Sequence, residues 1–298
     1  MPAFLLRVGE VPELRGLPRR VIRSPIDCDV FAPRPDVATL RRRFGLAADR
    51  FTIVLSGNNW ADRLKGADQA VSALRATGAA VRELQLLAIG RESERLLSLT
   101  GLPGRAHPFL ECREQLADAY ACADVCLFPS QAENYPLTVL EALACGTPVV
   151  AHDVGGIAEQ IEHRRTGFLA RNGHPEELVE GLVTLARQPA ATRTMGRLGR
   201  MFVVRTSSVP VVAAQYRDEY RRAIRAWCRR RGRTSPRCDP GVLGRVIARA
   251  LGWNVRTTSR SVRVDASVGL AATAVARARD ATPARALCEC TPAHAEAP

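Results

Sequence analysis

The sequence predicts an α/β fold in which a parallel sheet is covered by helices on both faces. Three observations carry that expectation. Phe51–Gly57, Leu84–Gly90 and Val125–Phe128 are near-continuous apolar runs, the pattern of strands buried on both faces rather than one. Each run is followed by a stretch of helical periodicity, and glycine or proline marks the junctions. Strands that alternate with helices in this way form parallel βαβ units. Their right-handed crossovers bring the strand-to-helix loops to one edge of the sheet. The Rossmann-like domain so predicted spans residues 36–205.

The elements follow in order. Residues 1–35 hold no complete strand–helix unit, and Val21–Pro33 mixes extended residues with prolines, which reads as a strand and a linker. Asp36–Gly45 is a short basic helix ended by glycine. Phe51–Gly57 is the first buried strand, and the loop Asn58–Gly66 leads from it into a helix over Ala67–Ala76. Leu84–Gly90 is the second strand, Glu92–Leu99 a helix, Ala106–Leu110 the third strand and Glu114–Ala121 an amphipathic helix. His107 is expected to pack or cap rather than to catalyse. After the strand Val125–Phe128, a turn at His152–Gly156 precedes a helix starting near Ile157. Its two glycines let backbone come close to a ligand. Glu176–Ala186 is a further helix, apolar at Leu178, Leu182 and Leu185.

Residues 128–151 organise the rest. Pro136 fits a first helical position, where its fixed φ suits the helix and its missing N–H is no loss. Leu137, Leu140, Leu143 and Ala144 recur at helical spacing. Gly146 is the expected left-handed cap, Pro148 forbids continuation, and Val149-Val150 restart an extended segment. A helix starting at Pro136 turns the free N–H groups of Leu137 and Thr138 toward the carboxyl ends of the strands. That is an anion site, most often a phosphate site. Glu133 and Glu141 flank it; carboxylates would repel phosphate and are better suited to accepting hydrogen bonds from sugar hydroxyls. Taken singly, each also reads as an ordinary surface or helix glutamate. Lys65, in the loop after the first strand, is the single lysine among 43 basic residues. A loop cation there reaches a phosphate at the strand's carboxyl end.

The segment Pro129-Ser130…Glu133…Pro136-Leu137-Thr138-Val139-Leu140-Glu141-Ala142-Leu143-Ala144-Cys145-Gly146-Thr147-Pro148-Val149-Val150-Ala151 resembles the signature of the retaining GT-B glycosyltransferases, group 1, family 4-like. The likeness continues through Asp153–Glu159 and Thr166–Leu169, and it covers the C-terminal, donor-binding half of such enzymes. It implies transfer of a sugar from a nucleoside-diphosphate sugar with retention of configuration, in polysaccharide or glycolipid biosynthesis. It also implies that Glu141 holds the ribose hydroxyls and Glu133 those of the transferred sugar. Lys65, with Leu137 and Thr138, takes the diphosphate, and Glu133 and Lys65 form the catalytic pair. Asn134, Tyr135 and Gly57 complete the donor site. The family's usual arginine ahead of the Lys-Gly pair is replaced by Asn59, and Arg63 is the candidate second cation. No metal and no cofactor are expected, because a cation and a helix dipole serve in their place. Residues 206–230 resemble the family's closing helix. Residues 1–35 resemble the remnant of its interdomain linker, with the N-terminal half largely absent.

Composition bounds the alternatives. With 46% hydrophobic residues, the 298-residue chain can bury a sizeable core. The net charge of +13 is uneven: from residue 201 onward there are 18 Arg against 7 Asp plus Glu, a net of +11, leaving +2 for residues 1–200. The basic character thus belongs to the tail, of which residues 231–298 are expected to lack order. Nine cysteines without paired metal-ligand spacing fit reduced thiols in the cytoplasm, and no signal peptide or membrane span is expected. The partners implied are a nucleotide sugar, a glycan or lipid acceptor, a separate N-terminal domain and the inner face of the membrane as a peripheral contact. Nucleic acid is not expected. The rival readings are a non-catalytic sugar-nucleotide-binding module and a tail-driven binder of nucleic acid or anionic membrane.

Overall fold

The computed structural model describes residues 20–230, 255–258 and 261–264. The chain divides into two compact units, residues 1–218 and 219–298. Six strands of the first unit form one sheet in the order β3-β2-β1-β4-β5-β6. They are β1 (Phe51–Asn59), β2 (Leu84–Arg91), β3 (Gly104–His107), β4 (Val125–Phe128), β5 (Val149–His152) and β6 (Gly167–Ala170), and every pairing is parallel. The helices are α1 (Val37–Arg43), α2 (Ala67–Ala80), α3 (Ser93–Thr100), α4 (Arg113–Ala121), α5 (Leu137–Ala144), α6 (Pro175–Arg187), α7 (Pro189–Ser207) and α8 (Val209–Arg230). The last of these crosses the boundary between the units.

Strand periodicity divides the core in two. Val54, Leu87, Cys126 and Val149 pack with α4 and α5 on one face, and Ile53, Leu55, Leu86, Leu127 and Val150 pack with α2, α3 and α6 on the other. Successive residues of each strand therefore enter opposite layers, which is why the strands read as unbroken apolar runs. α1 is fastened to this sheet by a buried arginine. Arg41 pairs with Asp124 at 2.6 Å and also donates to the carbonyls of Ala48, Arg50 and Cys122. Asp124 in turn accepts from the Thr52 N–H at 2.7 Å.

Several expectations need correction. The third strand is Gly104–His107, not Ala106–Leu110: it pairs with β2 from Leu86 onward, where Gly104 lies too close to the Leu86 carbonyl to carry a side chain. The helix expected near Ile157 is a single 3-10 turn, Ile157–Glu159. Pro136 is the N-cap of α5 rather than its first residue, with extended ψ of 132°. Val21–Pro33 contains no strand, only an isolated bridge from Ile26 to Ser208. β6 and α7 add to the elements expected from the sequence. α7 hides mainly small residues, Thr192, Gly196 and Gly199 among them, so it lacks a strong apolar stripe. In the second unit, Val255–Thr258 and Ser261–Val264 pair as antiparallel β7 and β8, contrary to the expected lack of order. The rest of that tail lies outside the described residues.

Candidate functional site

The chain runs from β1 outward to β2 and β3, then returns to β4 and continues to β5 and β6. β1 and β4 thus lie at the point where the winding reverses, and a cleft opens beyond their carboxyl ends, as parallel α/β sheets arrange for ligands. Its volume is about 1180 Å³. Ser56–Asn59, Ile89–Arg91 and Phe128–Ser130 line it from the strand ends; Pro108–Arg113 and Pro136–Thr138 close its sides.

Lys65 stands in a 3-10 turn, Arg63–Lys65, capped by Asp62, whose carboxylate accepts from the Leu64 N–H at 2.9 Å. Gly66 then takes a left-handed φ of 72°, and a side chain there would strike the Pro129 carbonyl. The loops after β1 and β4 are consequently laced together, with the Gln131 N–H donating to the Leu64 carbonyl at 2.8 Å. Across this seam Lys65 Nζ meets Glu133 Oε1 at 2.8 Å. The Ser130 hydroxyl lies 2.9 Å from the same carboxylate oxygen and 3.0 Å from the Leu64 carbonyl, with one proton for the two. Glu133 is held from behind: Gly155 packs against its carbonyl, and the Gly156 N–H donates to the Asn134 carbonyl at 2.7 Å.

Glu141 rises from α5 into the cleft floor. Its one side-chain partner among the described residues is the Tyr120 hydroxyl, at a long 3.4 Å. Burial pushes its carboxyl above the usual range, while the Tyr120 hydroxyl and the Arg113 charge pull it back. Such a carboxylate is an acceptor short of donors. Beside it, Pro136 offers no side-chain cap to α5, so the N–H groups of the first turn face the cleft without intrahelical partners. The Gln160 side-chain amide fixes the cap by donating to the Pro136 carbonyl at 2.9 Å.

Lys65, Glu133, Glu141, Leu137, Thr138 and Gly57 all line this cleft. Arg63, Asn134 and Tyr135 do not. Arg63 borders a separate hollow of about 200 Å³ with Trp60, Glu92 and Arg95, because the 3-10 turn sends it away from its neighbour Lys65. Asn134 is engaged through its carbonyl, and Tyr135 is buried beneath Gly156. His107 packs edge-on against Phe44, ring centroids 5.5 Å apart. Sequence reasoning missed Tyr120, Arg91 and Arg113. Arg113 is tied down, 3.9 Å from Asp27 and with its guanidinium 5.5 Å from the Phe31 ring centroid. Nothing local marks these residues; only the sheet order brings them to the site. Among the described residues no cluster of His, Cys, Asp or Glu could hold a metal ion, and no helix is long and apolar enough to cross a membrane.

The family described as Glycosyl transferases group 1 matches residues 50–188. The D-inositol 3-phosphate glycosyltransferase of Segniliparus rotundus is 31% identical over 189 residues, which are 60% of this chain and 41% of that protein. The chain therefore spans less than half the length of that relative. Among solved structures, sucrose-phosphate synthase from Thermosynechococcus elongatus superposes with a TM-score of 0.65 at 28% identity, covering 75% of this chain and 57% of that one. HepE of Anabaena, solved in complex with UDP and glucose, gives 0.59 at 22% identity, covering 67% and 56%. Sheet order, cleft and matched segment agree: residues 50–188 match the glycosyl transferases group 1 family, and the sheet is the Rossmann-like half of a GT-B fold.

Proposed function

We propose that the cleft binds a nucleoside-diphosphate sugar and that the chain serves as the donor half of a retaining glycosyltransferase. The observation that carries this reading is the convergence of Lys65, Glu133, Glu141 and the uncapped start of α5 on one cleft at the reversal point of the sheet. Glu141 accepts from the ribose hydroxyls, which supply the donors it lacks. Glu133 accepts from hydroxyls of the transferred sugar. Lys65 and the first N–H groups of α5 face the diphosphate, where negative charge grows as the glycosidic bond breaks; fixed donors at that place lower the barrier. Retention by same-face attack requires no protein nucleophile, and none is assigned. The UDP complex of HepE is in keeping with a nucleotide-sugar donor; the acceptor is a glycan, a lipid or, in line with the relative's name, a polyol. The biosynthetic setting we assign is polysaccharide or glycolipid assembly in the cytoplasm.

Calorimetry with UDP-, GDP- and ADP-glucose tests the reading. One of the three should bind, and Glu141→Ala should weaken it by about 1.5–3 kcal/mol, the worth of charge-assisted hydrogen bonds. An unaltered affinity in that variant would remove Glu141 from the site, and no binding of any donor would remove the function.

A further inference from the structure

Resting on that reading, we propose that Arg91 is the second cation that holds the donor's diphosphate. The acidic and basic side chains of the cleft wall are Lys65, Arg91 and Arg113 against Glu111, Glu133 and Glu141. Lys65 is occupied by Glu133 at 2.8 Å, and Arg113 stands 3.9 Å from Asp27, with its guanidinium over the Phe31 ring and its charge acting on Glu141. Among the described residues Arg91 is the cleft cation with no carboxylate in ion-pair range. A diphosphate brings two or more negative charges into a wall that is neutral overall, so it needs a positive group that is not already spent.

Arg91 ends β2 in register with Asn59 at the end of β1, so the two stand side by side on the cleft rim. The Arg91 carbonyl accepts from the Trp60 N–H at 3.1 Å, which ties this corner to the loop that carries Lys65. Polar Asn59 brings no charge, and the neighbouring strand supplies it one position across.

Arg91 lies between two residues of positive φ, Gly90 at 117° and Glu92 at 65°. Gly90 is required, since a side chain there would strike the Gly57 carbonyl. Glu92 is one of two non-glycine residues in the left-handed region among those described. Strain of this kind persists where surrounding structure fixes a corner for use. Here it turns β2 into α3 and leaves Arg91 exposed on the cleft rim.

The test uses the full chain and titrates UDP, GDP, ADP and the three matching nucleosides into wild type, Arg91→Ala and Arg91→Lys. Arg91→Ala should weaken the preferred nucleoside diphosphate about tenfold, about 1.4 kcal/mol, and leave its nucleoside within twofold. Arg91→Lys should recover part of the loss, and added salt should narrow the gap between wild type and Arg91→Ala. Thermal melts of the three proteins should coincide, because the side chain is exposed. Equal loss for nucleoside and diphosphate, or no loss for either, would overturn the assignment of Arg91. A wild-type chain that takes up none of the nucleoside diphosphates would instead overturn the donor site itself.

Discussion

Lys65 and Glu133 provide the sharpest energetic test, because their ion pair joins two loops 68 residues apart and stands where the donor is proposed to bind. The side chain of Glu133 is 14% exposed and that of Lys65 30%. Fully exposed pairs contribute about 0–1 kcal/mol, and stripping one partner from a buried pair costs about 3–5 kcal/mol. This half-buried pair should therefore show a coupling energy of about 1–2 kcal/mol in a cycle of Lys65→Met, Glu133→Gln and the double variant. Lys65→Met alone should be the worse single change, since it leaves a carboxylate with only the Ser130 hydroxyl for company. Glu133→Gln keeps an acceptor for the ammonium. Urea unfolding of the four proteins measures the cycle. Saturating donor should then shrink the coupling, as Lys65 transfers part of its attention to the diphosphate. A coupling below about 0.3 kcal/mol without ligand, within the error of additivity, would refute the claim that the pair is held in the empty site.

Two further outcomes follow from the geometry. Burial raises the Glu141 carboxyl, so the folded chain keeps that proton at pH values where the unfolded chain has lost it. Its contribution to stability is full below the ordinary carboxylate range and is lost as pH rises through the raised value. Glu141→Gln should accordingly raise Tm at pH 7 and flatten the pH dependence above 4.5, while weakening the donor; a lower Tm at pH 7 would contradict this. Gly155→Ala should destabilise by about 2–4 kcal/mol, since φ is 57° and the new methyl meets the Glu133 carbonyl. Gly173→Ala, at φ 85° in open space, should cost only about 1 kcal/mol. Equal losses in urea would mean that the seam behind Glu133 is loose.

Most of the sheet was legible because its strands are buried on both faces, and apolar runs such as Phe51–Gly57 have few other uses. The misreadings lie where that signal fails. β3 is half-buried at the sheet edge, and its start is decided by Gly104 meeting the Leu86 backbone, a contact made in three dimensions. α7 buries Gly196, Gly199, Thr192 and Ser207 beside only two large apolar side chains, which is too little for a hydrophobic period. The motif at 128–151 located Glu133, Glu141 and the start of α5. It could not separate Asn134 and Tyr135, which sit beside Glu133 in sequence but turn into the Gly155-Gly156 seam. Nor could spacing reveal that Lys65 and Glu133 satisfy each other, or that the register of β1 with β2 sets Arg91 beside Asn59.

The bridge at Ile26 has a mechanical meaning. Its N–H donates to the Ser207 carbonyl at 2.8 Å and its carbonyl accepts from the Val209 N–H at 3.2 Å, so the segment entering the sheet domain and the one leaving it are clasped at one point. Arg200 reinforces the clasp from α7 by donating to the carbonyls of Cys28, Phe31 and Ala144, the last at the end of α5. The same linkage leads straight to the helix whose other end faces the cleft. Entering segment, leaving segment and the base of α5 are thereby fixed to one another, and the opposite end of that helix is the one that meets the cleft.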